Sequence, residues 1–233
     1  MARIGVIIVA GGSGRRCGGG VPKQFRLLAG RPVLARTIDR MAEALPGAEI
    51  AVVLPERHLD FWKNLAARFD IAPHTVVAGG EERFHSVRNG LEALRRDPEL
   101  IAVQDGVRPL VTVETIRRVA AEAQRSGAAI PVVPPVDSFR ETDGATSHVV
   151  DRSRLRIVQT PQIFRADLLR EACRAEFDPR FTDDASAVER LGQPIALVEG
   201  DRTNIKITTE EDFTLAEALI AARSTNDDDD EHL

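Results

Sequence analysis

Hydrophobic and polar positions along the chain alternate between two rhythms. The short apolar runs "IGVIIVA", "EIAVVLP", "TVVAG", "LIAVQD" and "AAIPVV", each bounded by Gly, Pro or Asp, read as buried strands. Between the first two, Leu34, Ile38, Met41 and Leu45 recur at i, i+4, i+7 and so mark one face of a helix. Val87, Leu91 and Leu94 do the same before the fourth run, and Ile116, Ala120 and Ala123 before the fifth. Near the end come a helix around Ala166 to Glu176, a strand "PIALVEG" and a last helix with Phe213, Ala216 and Ile220 on one face. Thr209 and Asp212 resemble a capping box at the start of that helix. Strand, helix, strand in this order predicts an α/β fold: a Rossmann-like, mostly parallel sheet with helices on both faces. Ligands of such sheets sit beyond the carboxyl ends of the strands, so the residues just after each apolar run are where chemistry is expected.

The alternation breaks between Pro134 and Thr160. There "PPVDSFRETDGATSHVVDRSRLRIVQT" interleaves charged with β-branched residues around the turn signals "DGA" and "DRSR", which predicts an extended hairpin. A hairpin is marginal alone and needs something to pack on. The tail "STNDDDDEHL" is a like-charge run with little to bury and reads as disordered. The chain is therefore expected to be one domain over residues 1–222, with an arm at 134–160 and an acidic tail at 223–233.

Composition narrows the function classes. With 233 residues, 43% hydrophobic and 29% charged, the chain can bury one sizeable core. Its formal net charge of −5 disfavours a broad nucleic-acid surface. No apolar run approaches the ~20 residues needed to span a bilayer, and the N-terminus lacks a cleavage site, so no membrane partner and a cytoplasmic location are expected. Two cysteines, Cys17 and Cys173, make no disulfide framework, and no Cys or His cluster has zinc spacing.

The stretch "AGGSGRRCGGGVPKQ" after the first run carries six glycines within ten residues, with Arg15, Arg16 and Lys23. Successive backbone N–H groups in such a turn form a concave anion site, and the cations add full charges. A P-loop would need Gly-Lys-Ser/Thr entering a helix, but Pro22 precedes Lys23 and Gln24 follows it. A dinucleotide fingerprint fails at its third glycine, where Cys17 stands after Gly12 and Gly14, and only Glu56 sits near the end of the second strand. What remains, G-G-x-G-x-R followed by P-K, sets an arginine and a lysine about one phosphate chain, as nucleotidyl transfer requires. Displacement at an α-phosphate by another phosphate brings anions together, so its catalysis is chiefly positioning and charge stabilisation.

Other strand ends supply partners. "GGEERFHSVRNGL" places Gly79 and Gly80 before a helix whose start carries Arg83, Ser86 and Arg88. "DGVRP" puts Asp105 at a strand end with Arg108 three residues on, a place where phosphoryl-transfer folds bind a metal or a substrate hydroxyl. "DRTNIKIT" sets Lys206 in a short apolar segment read as a strand.

Taken together, "AGGSGRRCGGGVPKQF", "GGEERFHSV", "QDGVRP", "VDSF" with "VDRSRL", "QTPQIF", "TDDASA" and "NIKITTEEDF" resemble, in order and over about residues 4–222, the 2-C-methyl-D-erythritol 4-phosphate cytidylyltransferases. These are CTP-using enzymes of the non-mevalonate isoprenoid pathway with a nucleotide-diphospho-sugar transferase fold. The resemblance implies that Ala10, Gly11, Gly12, Gly14, Gly80, Glu81 and Ser86 hold the cytidine nucleotide, and that Arg16 and Lys23 grip the triphosphate and stabilise the transition state. It implies that Asp105, Arg108 and Thr182 meet a sugar-alcohol phosphate and that Lys206 faces that phosphate and the α-phosphate. It further implies a homodimer in which the arm lends Ser138 and Arg152 to the neighbouring active site. A divalent ion, magnesium or another, would be held mainly by the CTP phosphates, with Asp105 a possible ligand. Ser138 stands where the family more often has threonine, Cys17 where it has methionine, and Asp105-Gly106-Val107-Arg108-Pro109 where it has Asp-Ala-Ala-Arg-Pro. A cytidylyltransferase for another alditol phosphate, such as ribitol 5-phosphate, and a non-catalytic nucleotide-binding regulator on the same fold are the alternatives.

Overall fold

Strand β1 (Ile4–Val9) lies at the heart of the sheet, and its alternating side chains divide the core in two. A computed structural model describes residues 2–11 and 20–230, with side chains to Arg223. After β1 come a short pair β2 (Leu27–Leu28) and β3 (Arg31–Pro32), then α1 (Val33–Ala44), β4 (Glu49–Leu54), α2 (Leu59–Ala66), β5 (Thr75–Ala78) and α3 (Arg83–Ala93). The chain goes on through β6 (Leu100–Asp105), α4 (Val113–Ser126), β7 (Ala128–Val133), the pair β8 (Phe139–Thr142) and β9 (Ser147–Val150), β10 (Ile157–Val158) and β11 (Gln162–Arg165). It ends with α5 (Ala166–Arg174), α6 (Asp184–Glu189), β12 (Ala196–Glu199) and α7 (Glu210–Asp230).

The main sheet runs β7-β11-β6-β1-β4-β5, with β12 parallel to β7 and β10 also beside β7. Six apolar runs read as strands are strands, and they are mutually parallel. Residues 157–165 supply the exception: β10 and β11 pair antiparallel with β7, and β11 also with β6. Sequence pattern does not predict them, because "IVQTPQIF" is short, carries a proline and shows no clean alternation. The path leaves β1 toward β4 on one side and returns to β6 on the other, so a topological switch point lies between β1 and β6.

Val6 and Ile8 point into a cluster with Leu34, Ile38 and Met41 of α1 and Ile116 of α4, all without exposure. Ile7 points to the opposite face, against Val87 of α3 and Leu169 of α5. These are the helical faces that the spacing predicts, and burying each such side chain contributes about 1.5–3 kcal/mol. Gly90 is needed where α3 crosses β1, since a Cβ there would lie 2.5 Å from Ile7 Cγ2. Phe213 and Ala216 of α7 pack on Leu28, Val33 and Ile207 in a third cluster. Asp212 accepts from the backbone N–H groups of Thr208 (2.7 Å) and Thr209 (2.8 Å) and fixes the start of α7.

Two expectations change. Helix α7 runs on to Asp230, through residues expected to lack structure. Once packed turns have nucleated a helix, each further residue can add a backbone hydrogen bond. Lys206 does not lie in a strand: residues 204–208 form no ladder and attach where the Ile207 N–H donates to the Val107 carbonyl (2.9 Å). The hairpin is present as β8 and β9, register Phe139↔Val150 to Thr142↔Ser147, and its turn is closed by Asp143 accepting from Thr146 N–H (2.7 Å).

Candidate active site

The carboxyl ends of β1, β4, β5 and β6 open on one cleft of about 580 Å³. At β1, the Ala10 N–H donates to the Val53 carbonyl (2.9 Å), extending the strand by one residue before Gly11. Lys23 comes back over this end on a 3-10 turn, Lys23–Phe25, closed by Phe25 N–H to the Pro22 carbonyl (2.9 Å). The turn is held from two sides. Gln24, wholly buried, donates its Nε2 to the Ala10 carbonyl (3.1 Å). Phe25 stacks on Trp62 with ring centroids 5.8 Å apart, and the Trp62 indole N–H donates to His74 Nε2 (3.1 Å). Lys23 itself is 9% exposed and lines the cleft.

On the opposite wall, glycine is required at two places. A Cβ at Gly80 would stand 2.4 Å from His85 Cβ, and one at Gly79 2.8 Å from Ser86 Oγ. Only bare backbone lets α3 approach β5 this closely. In return, the Gly80 N–H donates to Ser86 Oγ (3.2 Å).

Asp105 at the end of β6 forms the floor. Its N–H donates to Thr160 Oγ1 (3.1 Å), and three cations surround its carboxylate: Lys206 Nζ at 3.0 Å, Arg108 Nε at 3.3 Å and Arg83 Nη2 at 3.7 Å. Burial alone would raise its pKa, but Arg83, Lys206 and Arg108 outweigh it and hold the carboxyl below its ordinary range. Arg108 is lowered by its burial, which Asp105 offsets only in part. Its Nη1 donates to the Asn204 carbonyl (2.8 Å), and Asn204 Nδ2 donates to the Thr160 carbonyl (2.9 Å). The segment bearing Lys206 is thereby tied to Arg108 and Thr160, beside Asp105.

A second cleft of about 310 Å³ lies past this floor, and Arg108, Gln162 and Thr182 line it. Arg83, Asp105 and Lys206 line both clefts and form the wall between them. Of the residues singled out from sequence, Ala10, Gly11, Lys23, Gly80, Glu81 and Ser86 surround the larger cleft, and Arg108 and Thr182 the smaller. Ser138 and Arg152 lie on the exposed arm and line neither cleft of their own chain. Gly12, Gly14, Arg16 and Cys17 fall outside the described residues.

A family model for 2-C-methyl-D-erythritol 4-phosphate cytidylyltransferase (IspD) matches residues 4–222. The chain belongs to that family. A cytidylyltransferase of this name from Bacteroides thetaiotaomicron is 48% identical over 216 residues, covering 92% of this chain and 98% of the relative. One from Porphyromonas gingivalis is 48% identical over 220 residues, 93% and 97% of the two chains. The crystal structure of the Thermus thermophilus 2-C-methyl-D-erythritol 4-phosphate cytidylyltransferase superposes with a TM-score of 0.72 at 36% identity, over 93% of this chain and 98% of that one. That of the 4-diphosphocytidyl-2C-methyl-D-erythritol synthase from Anaerococcus prevotii gives 0.80 at 28% identity, over 94% and 99%.

Reading strand ends in this cytidylyltransferase-family sequence misses two charged residues that the fold brings into the site. Arg83 is visible only as a polar residue at a helix start, and Asp184 only as part of "TDDASA". The Arg83 Nη1 stands 2.7 Å from Asp184 Oδ2. Burial would lower the Arg83 pKa, yet Asp184 and Asp105 together raise it. Asp184 is raised, because its burial costs more than Arg83 returns.

Proposed function

We propose that the chain transfers a cytidylyl group from CTP to 2-C-methyl-D-erythritol 4-phosphate, giving 4-diphosphocytidyl-2-C-methyl-D-erythritol and pyrophosphate. The observation that carries this reading is the meeting of two clefts at one wall of three charged residues. CTP occupies the larger cleft, with its base and ribose against Ala10, Gly11, Gly80, Glu81 and Ser86 and its triphosphate near Lys23. The acceptor occupies the smaller one, between Arg108 and Thr182. Its phosphate oxygen attacks the α-phosphorus in line; that P–O bond forms as the bond to the pyrophosphate oxygen breaks, and pyrophosphate carries the electron pair away. Lys23 and Lys206, with Arg16 from the glycine-rich stretch, offset the negative charge that accumulates. Asp105, kept ionised among cations, accepts hydrogen bonds from acceptor hydroxyls.

A divalent ion belongs to this reading. Among the described residues no group of three or more His, Cys, Asp or Glu is placed to hold one, and the Asp105 carboxylate is already ringed by three cations. The fit is therefore to an ion carried by the triphosphate oxygens, which would neutralise charge on the leaving group. Among the described residues no helix is long and apolar enough to cross a membrane, and we read the enzyme as cytoplasmic.

The deciding assay is pyrophosphate release with CTP, run with methylerythritol phosphate, with ribitol 5-phosphate and with neither. Release that depends on methylerythritol phosphate is expected. Tight CTP binding without release would replace the enzyme by a nucleotide-binding regulator, and release only with ribitol 5-phosphate would move the substrate.

The reading extends to a homodimer. Val136 (65% exposed), Val149 (70%) and Phe139 (40%) are apolar side chains on the arm that a second copy would cover. Ser138 and Arg152, which line neither of the two clefts of their own chain, would then complete the neighbour's acceptor cleft. Arg152→Ala is expected to raise the acceptor KM far more than that of CTP. Mixing it with Lys23→Ala protein should restore activity, since a heterodimer then has one site intact in both respects. A mixture no more active than its two components would exclude an arm that crosses between subunits.

A further inference from the structure

We infer that Asp184 is a positioning residue for the transfer: from the buried first turn of α6 it holds Arg83 in the wall between the clefts, and through Arg83 it sets Asp105. This deepens the cytidylyl-transfer reading and rests on it. One guanidinium faces two carboxylates with different nitrogens, Nη1 toward Asp184 (2.7 Å) and Nη2 toward Asp105 (3.7 Å). A planar fork with fixed donor directions can bridge in this way. The Asp184 side chain is only 5% exposed and lines neither cleft, so it cannot touch a substrate. Arg83, at 32%, lines both.

The turn that carries Asp184 is itself clamped. Gln162 of β11 accepts at Oε1 from the Ala185 N–H (2.9 Å) and donates Nε2 to Asp183 Oδ2 (2.9 Å). Asp183 also accepts from the Ser186 N–H (2.8 Å). Thr182, which lines the smaller cleft, belongs to the same turn, and Thr160 beside β11 receives the Asp105 N–H. Acceptor contact, anchor and Asp105 are thus tied to one short antiparallel strand. A buried ion pair is weak evidence for stability, because apolar residues of like volume often serve as well. Its value here is geometric. Without the Asp184 charge, the nearest carboxylate left to Arg83 is Asp105. Arg83 would then compete for that carboxylate with Lys206 and Arg108, and the acceptor side would lose its arrangement while Lys23 and the glycine wall stay in place.

The test is steady-state pyrophosphate release by wild type, Asp184→Asn, Arg83→Gln and the double variant. Asp184→Asn is expected to raise the acceptor KM about tenfold or more while the CTP KM stays within about twofold, and the double variant to be no worse than the poorer single, within about twofold. A wild type that does not turn over removes the functional reading itself. With a wild type that does, losses that multiply in the double variant, or CTP and acceptor KM rising together in Asp184→Asn, overturn the positioning role. If Asp184→Asn does not fold, Arg83→Lys decides: lysine keeps a cation for Asp184 but has no second nitrogen for Asp105. It is expected to raise the acceptor KM as Asp184→Asn would, and a wild-type acceptor KM in that variant overturns the inference.

Discussion

Lys23→Ala is expected to lower turnover by about a hundredfold or more in the pyrophosphate-release assay at saturating CTP and acceptor. The size follows from the setting. Lys23 lines the cleft from a turn pinned by Gln24 to Ala10 and by Phe25 to Trp62, so its backbone is in place before the substrate arrives. Removing one preorganised charge donor of this kind costs about 3 kcal/mol or more, and each 1.4 kcal/mol is about a factor of ten. Turnover within about tenfold of wild type would remove Lys23 from the transition state.

Asp105→Asn is expected to reduce kcat/KM for the acceptor by about a hundredfold, since hydrogen bonds from acceptor hydroxyls to a charged group contribute about 1.5–3 kcal/mol. This substitution should also destabilise the protein, because Arg83, Arg108 and Lys206 would be left around a neutral amide. The pH dependence has a definite sign. The folded-state pKa of Asp105 lies below the ordinary carboxylate value, so the stability it contributes is present above that ordinary value and is lost as pH falls through the folded one. Thermal melts of wild type and Asp105→Asn should therefore differ most near neutral pH and converge in acid, below the usual carboxylate range. A difference that is constant with pH would mean that Asp105 acts through shape and not through charge.

The parallel frame and one side of the nucleotide cleft are legible in the sequence, because both follow from local signals. The helical faces around Leu34, Val87 and Ile116 repeat at fixed spacing, and Ala10, Gly80 and Asp105 come just after apolar runs, where the sheet's geometry puts them. What escapes reading is made by long-range contact. Strands β10 and β11 are specified by pairing with β7 and β6 and not by their own short pattern. Lys206 looks like a strand residue from its flanking isoleucines, yet Ile205 and Ile207 are apolar because they meet the cluster around Leu28 and Phe213. Arg83 and Asp184 are about a hundred positions apart in sequence and meet only because α3 and α6 pack on one face of the sheet. A lone charge at a helix start carries no mark of its partner.

Trp62 is the one tryptophan of the chain, and it stacks on Phe25, which follows Lys23 by two residues. Its indole N–H is committed to His74 and its ring is without exposure, so solvent does not set its emission. The protein thereby carries a single built-in fluorophore coupled to the turn that, in the proposed function, meets the triphosphate. Nucleotide arrival and departure would then be open to optical stopped-flow observation, with no label attached and no product formed.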